Sequence, residues 1–361
     1  MNNETDKNYL DLSFQNNENK NKNFKLKKIR MNYENKKNNN NIRIFSLIIL
    51  LNIIFFFYFQ KSKNQKNKRK YDIDFDYTTY ENYTITKKII ENAGMQIGRL
   101  QPYFINGLIR KYKPKNCLEI GVANGGSSIL ILNAIKDIPN SRLVSLDLNI
   151  QLYNDPTKKT GYRVNQYFPE LTNNWKLLTG QQPHKFLIKL NMKFDFVFLD
   201  TAHSAPGELL NFIELLPFLN ENAIFVLHDL LWHFHSKIKF YPSNVHLYPA
   251  IYGDKVLLQK KDGSIENMGA VFLYNNQESH YLDYFFLLLT FWEYMPKDNE
   301  IKDLRIFIKN YYKKDIYLKI FDTAVMRNKI SINNHHQNER NYSFINKKQE
   351  FFKDLVYGKK Y

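Results

Sequence analysis

One cysteine, Cys117, in 361 residues leaves no intrachain disulfide and no cysteine-based zinc cluster, which excludes disulfide-stapled scaffolds and zinc fingers. A folded basic surface is also missing. The chain carries 52 Lys+Arg against 35 Asp+Glu, a formal +17 that would suit a nucleic-acid partner. Residues 1–70, however, hold 16 of the basic and 5 of the acidic residues, which leaves 36 against 30 in the other 291. No nucleic-acid reading module accompanies the charge, so no nucleic-acid partner is expected. The G-x-G-x-x-G fingerprint of dinucleotide-binding turns is absent as well. What is present, 43% hydrophobic residues, is enough for one large or two ordinary domains.

The N-terminal stretch lacks apolar periodicity. Fourteen of the first 41 residues are Asn, mixed with Lys and Glu, and such a segment buries too little surface to offset its ordering entropy, so a disordered tail is predicted over 1–41. One long apolar run follows, Ile44 to Phe59, broken only by Ser46, Asn52 and the Tyr58 hydroxyl. With Ile42 and Gln60 it reaches the lower limit for a bilayer-spanning helix, roughly 17 residues. A buried core helix is the alternative. Against it, Arg43 and the basic run Lys61–Lys70 flank the segment, and no amphipathic neighbour is there to pack on it. A long polar stretch precedes the run and no small-residue cleavage site follows it. The expectation is an uncleaved single-pass anchor over 42–60 that places the protein in a membrane, followed by a polar stem over 61–85. Five basic residues from Lys28 to Arg43 and six from Lys61 to Lys70 do not choose an orientation.

From Thr86 to Lys113, apolar positions recur at helical spacing and stop before Pro114. Short apolar runs then alternate with segments of helical length: Cys117–Val122, Arg142–Leu148, Trp175–Leu178, Phe194–Asp200 and Ala223–His228. That pattern predicts an α/β domain, a doubly wound parallel sheet covered on both faces, over 86–327. Two further strands near Lys255–Gln259 and Ala270–Tyr274 flank the turn-like 261–264 and predict a closing hairpin. The aromatic stretch Tyr281–Tyr294 is too short for a second membrane span and is expected as a core helix. From Asn328 to 361 a polar tail is expected.

The stretch LEIGVANGGSS, 118–128, joins a strand end, a glycine turn and a helix start, which together make a ligand cradle. Its spacing is G-x-x-x-G-G, with Glu119 two positions before the first glycine. A carboxylate there would repel a pyrophosphate and suit the ammonium of an amino-acid-like ligand. Asp147 ends the second strand, where an acidic group can accept both hydroxyls of a ribose. Taken together, the two strand ends read an amino acid and a nucleoside side by side. A nicotinamide-dependent oxidoreductase is disfavoured by the same spacing.

At this point the sequence resembles the class I S-adenosylmethionine-dependent methyltransferases, through LEIGVANGGSS at 118–128, SLD at 145–147, LLTGQ at 177–181 and FDFVFLD at 194–200. The resemblance implies a Rossmann-like sheet of seven strands with the last antiparallel, and S-adenosyl-L-methionine as cofactor. It implies that Glu119, Gly121, Ala123, Asn124, Gly125, Gly126 and Ser127 line the methionine part, Asp147 the ribose, and Gly180 and Gln181 the adenine. The fourth strand ends in Asp200-Thr201-Ala202-His203 and the fifth in His228-Asp229. That D-x-x-H with a second strand-end Asp is similar to the sugar and macrolide O-methyltransferases and the cephalosporin-hydroxylase-like group. In these relatives the first Asp binds a divalent metal and the His is the base.

Carried over, Asp200 and His203 are the catalytic pair, and Asp200, Asp229 and His228 the metal ligands for Mg²⁺ or Mn²⁺. His228 stands where the relatives place a carboxylate, and an imidazole there suits Mg²⁺ less well than softer divalent ions. Without a metal, His228 and Asp229 would cap the strand and orient the acceptor. His233 and His235 read as acceptor-loop residues rather than ligands, and Trp232, Tyr241 and Tyr248 as aromatics suited to a sugar face. The implied activity is O-methylation of a sugar or glycan hydroxyl by a membrane-anchored enzyme (EC 2.1.1), with a carbohydrate or other small hydroxyl compound as acceptor and an oligomer compatible with the fold. The alternative is a tethered binding protein that keeps the fold without turnover.

Overall fold

Strands β1 (Asn116–Ile120), β2 (Arg142–Asp147), β5 (Trp175–Thr179), β6 (Phe194–Leu199) and β7 (Leu219–His228) are short, mostly apolar and separated by helices, so each can return parallel to the last. The computed structural model describes residue 85 and residues 87–93, 100–231, 243–259 and 265–338, all within one compact unit, Arg69–Tyr361. The main sheet has seven strands in the order β5-β2-β1-β6-β7-β9-β8, where β8 is Gly253–Gln259 and β9 is Ile265–Leu273. The five named first are parallel, and β9, the last, runs antiparallel to both β7 and β8. The predicted closing hairpin and its antiparallel last strand are therefore present. A second, two-stranded sheet, β3 (Gln151–Leu152) with β4 (Asp155–Lys159), grows out of the β2 loop and had no periodic signal in the sequence.

Side-chain alternation sorts each strand between two cores. Leu118, Val144, Leu146, Val197, Leu199 and Leu227 face one side. There they meet α5 (Pro183–Leu190), α6 (Gly207–Leu215) and the C-terminal helices α8 (Tyr281–Leu287), α9 (Asp298–Tyr311) and α10 (Asp315–Asn338). Cys117, Leu143, Phe196, Phe198 and Val226 face the other side. They are covered by α1 (Lys87–Ala93), α2 (Gln101–Tyr112) and α3 (Gly126–Ile135). Every residue of α3 is buried, so the helix that follows the glycine turn is held by packing on all sides. The remaining short helices are α4 (Tyr162–Tyr167) and α7 (Ser243–Ala250).

Three expectations change. The helix predicted over 86–113 is two helices, α1 and α2, with 94–99 outside the described residues. The helix expected over Tyr281–Tyr294 stops at Leu287. Beyond it the chain turns so that the Trp292 N–H donates to Asn328 Oδ1 at 2.9 Å and Asn328 Nδ2 donates to Thr290 O at 3.2 Å. Asn328, where the polar tail was to begin, is thus a buried residue of α10, which continues to Asn338. The apolar run Ile44–Phe59 and the tail 1–41 lie outside the described residues. Among the described residues no helix is long and apolar enough to cross a membrane.

Candidate functional site

The carboxyl ends of β1, β2, β6 and β7 converge through a seam that only glycine permits. Gly121 has φ +89°, and a β-carbon there would stand 1.6 Å from the carbonyl oxygen of Asp200. The seam is tied by Asp200 N–H donating to Ile120 O and Gly121 N–H donating to Leu146 O, both at 2.9 Å. Gly125, at φ +93°, turns the chain into α3, where the Gly126 N–H donates to Asn124 Oδ1 at 3.0 Å. No acidic residue lies in the first turn of α3, so its positive end is available to an anionic ligand group such as a carboxylate.

Asp147 fastens this turn. Its Oδ2 accepts from the N–H groups of Val122 (2.8 Å) and Ala123 (3.1 Å), and its Oδ1 from Asn149 N–H (2.8 Å). A carboxylate keeps further lone pairs for a ligand hydroxyl. Gly180 follows β5 at φ +88° against the Ile150 side chain, with Gln181 exposed beside it. Leu148 and Ile150 are 57% and 62% exposed, which gives the strand ends an uncovered apolar plane. A helix N-terminus, a strand-end carboxylate and an apolar plane suit the three parts of an amino-acid nucleoside.

Glu119 behaves differently from expectation. Alternation along β1 turns it beneath α3, where it is fully buried. Its Oε1 accepts from Ser127 Oγ at 2.5 Å, and its Oε2 from Ser128 Oγ at 2.5 Å and Ser145 Oγ at 2.6 Å. Burial pushes its pKa up to about 7 although the three hydroxyls pull the other way. The expectation that this carboxylate faces a ligand's ammonium is corrected: it ties β1, β2 and α3 together from inside. Ser127, expected to line the ligand, spends its hydroxyl on Glu119.

The loops after β6 and β7 bring the other predicted residues together. His203 Nε2 lies 3.1 Å from Asp229 Oδ2 and 3.9 Å from Asp200 Oδ1. His228 Nδ1 sits between the same two carboxylates, 3.2 Å from Asp200 Oδ1 and 3.4 Å from Asp229 Oδ2. Burial pulls the His228 pKa down, but Asp200 and Asp229 more than offset it and hold it at about 10. Burial would raise Asp200, yet His228 and His203 hold its carboxyl below the usual range. One ligand atom each from Asp200, His203 and Asp229 lies within 4.8 Å of the others. This donor set fits a divalent cation, and it contains His203 where His228 was the expected ligand.

Four supporting residues were not among those expected at the site. Gln101, the first residue of α2, places Oε1 3.0 Å from His228 Nε2. Asn267 of β9 donates to Asp229 Oδ1 and accepts from Leu231 N–H at 2.5 Å. Ser145 stands inside the quoted SLD motif but was passed over, and Glu208 holds the turn that carries His203. Trp232, His233, His235 and Tyr241 lie outside the described residues. Tyr248 packs its ring against Gly269 in the interior rather than opening to a sugar.

Residues 118–230 match the family model described as a methyltransferase domain. No curated protein matches the chain. Among solved structures, the O-methyltransferase TomG from Streptomyces achromogenes, involved in tomaymycin synthesis and crystallised with SAM, is 15% identical. That alignment covers 55% of this chain and 95% of that one, with TM-score 0.41. An O-methyltransferase from Bacillus cereus in complex with SAH is 16% identical over 55% and 96%, TM-score 0.40. The SAH-bound Podospora anserina methyltransferase PaMTH1 is 18% identical over 55% and 93%, TM-score 0.40. The matched residues 118–230 run from β1 to just past β7 and contain both the glycine turn and the Asp200–His203–Asp229 group, so this segment is similar to a methyltransferase domain.

Proposed function

We propose that this methyltransferase domain uses S-adenosyl-L-methionine to methylate a hydroxyl, that the acceptor is a sugar or glycan, and that residues 42–60 anchor the enzyme to a membrane. The observation that carries the reading is the placement of His203, Asp200 and Asp229 at the same sheet edge as the glycine turn, across the Gly121–Asp200 seam. When bound, the cofactor supplies an electrophilic methyl group. The positive end of α3 would hold its carboxylate, Asp147 its ribose, and Gly180, Gln181 and Ile150 its base.

On the acceptor side, a sugar hydroxyl has a pKa far above 7 and is a poor nucleophile. His203 Nε2 takes its proton as the new bond forms, a contribution of roughly 10² to 10⁴ in rate. Asp200 and Asp229 favour the imidazolium that results. A divalent cation held by the carboxylates of Asp200 and Asp229 would supply Lewis acidity to the acceptor oxygen.

The test is incubation of the full-length protein with methyl-labelled S-adenosylmethionine and a panel of oligosaccharides, beside the variant His203→Ala. Transfer to a hydroxyl that the variant loses, with cofactor affinity nearly unchanged in calorimetry, is expected. Binding of the cofactor with no transfer to any acceptor would favour the alternative of a tethered binding protein. Loss of cofactor affinity in the variant would remove His203 from the role of base.

A further inference from the structure

We propose that Glu208 is the positioning residue for His203, holding both its main chain and one edge of its imidazole so that Nε2 faces the crevice. The inference rests on the reading of His203 as the base. His203 has φ +56°, a left-handed conformation uncommon for a residue with a side chain. Glu208 supports it: Oε1 accepts the His203 N–H and lies 3.5 Å from Nδ1 of the same ring. The glutamate is fully buried in the first turn of α6, whose positive end favours its charge.

The turn that links the two residues has no slack. A β-carbon on Gly207 would come 2.7 Å from Ala202 Cβ and 3.1 Å from the Tyr294 hydroxyl. The other buried glutamate of α6, Glu214, is spent elsewhere, on His184 Nδ1 at 2.5 Å and Asn211 Nδ2 at 3.0 Å. Glu208 is the one aimed at the site. Its carboxylate favours the proton on Nδ1, which leaves the Nε2 lone pair for the acceptor hydroxyl. Asp229 Oδ2, 3.1 Å from Nε2, competes for that same proton. Without the charge on Glu208 the neutral ring would carry its hydrogen on the wrong nitrogen, as in any base whose tautomer is set by a partner on its far side.

A purely structural role as a helix-start cap is the competing explanation, and Glu208→Gln separates the two. Glutamine keeps the size and can still accept the His203 N–H, but it lacks the charge. The full-length variant is expected to lose about 10- to 100-fold in kcat, with KM for the acceptor and Kd for S-adenosylhomocysteine within about twofold. Glu208→Asp, which keeps the charge, is expected to recover part of that loss. Ring nitrogen NMR of the histidine-labelled protein in alkaline buffer, with the His203 signal assigned through His203→Asn, is expected to show Nδ1–H in the wild type and a shift toward Nε2–H in Glu208→Gln. An unchanged tautomer, a kcat within twofold of wild type, or an aspartate variant no better than the glutamine one would overturn the proposal. Because the ring spectrum needs no turnover, it decides the role of Glu208 even if no methyl transfer is found, an outcome that would count against the proposed function alone.

Discussion

Replacing Glu119 by glutamine turns the buried serine clamp into a measurement of its own electrostatics. The carboxyl has an ordinary pKa of 4.5 and is pushed to about 7 in the fold, with burial as the main cause. The native protein therefore keeps a proton that the unfolded chain releases between these values, so its stability falls as pH rises through that window. At about 1.4 kcal/mol per pH unit, the fall amounts to about 3 kcal/mol between pH 4.5 and about 7. Glutamine is nearly isosteric and does not titrate. Its amide oxygen can still accept from the serine hydroxyls, and any bond it fails to replace, at about 1 to 3 kcal/mol, is a constant offset that the comparison between two pH values removes. Urea unfolding of both proteins at pH 5 and pH 8 supplies the double difference, in which other titrating groups cancel. The glutamine variant should gain on the wild type by about 2 to 3 kcal/mol across that interval. Parallel stability curves would show that the clamp does not hold a perturbed carboxyl, and the account of Glu119 given above would be wrong.

Other perturbations probe other parts of the site. Asp147→Ala removes the acceptor for the Val122 and Ala123 N–H groups and should weaken S-adenosylhomocysteine binding at least tenfold by calorimetry; unchanged affinity would place the ribose contact elsewhere. His228→Gln should abolish a stabilisation that, in chelator-treated wild type, is full below pH 6.5 and lost as pH climbs toward about 10, and unfolding curves that fall alike in the alkaline range would contradict the ion-pair assignment. Asn328→Ala strips the Trp292 N–H and the carbonyls of Thr290 and Ala324 of their partner, for an expected loss of about 2 to 3 kcal/mol in denaturant titration; a loss below about 0.5 kcal/mol would mean that water replaces the amide.

The sheet was legible because its signal is local. Runs such as Phe194–Leu199 and Ala223–His228 are buried on both faces and need only their own residues to read as central strands. The glycine turn was legible for the same reason, since Gly121 and Gly125 adopt backbone angles that favour glycine. The orientation of Glu119 was less so. Its motif placed it correctly on β1, but which face it takes follows from alternation, and the three serines that claim it come from two other elements. Gln101 and Asn267 were invisible, because each reaches the site from a segment distant in sequence, 127 residues from His228 in one case and 38 from Asp229 in the other. The helix break after Leu287 likewise depends on Asn328, a partner that no window around Tyr281 contains.

The close approach of Gly121 to the Asp200 carbonyl means that the glycine turn and the Asp200–His203–Asp229 group have a common wall with no thickness to spare. A side chain added at residue 121 would wedge the two strand tips apart, so under the proposed function loss of cofactor binding and loss of turnover should arrive as one lesion. Under that same proposal, room for a bulkier methyl donor has to be made on the outer side, around Leu148 and Ile150, where the chain is open to solvent.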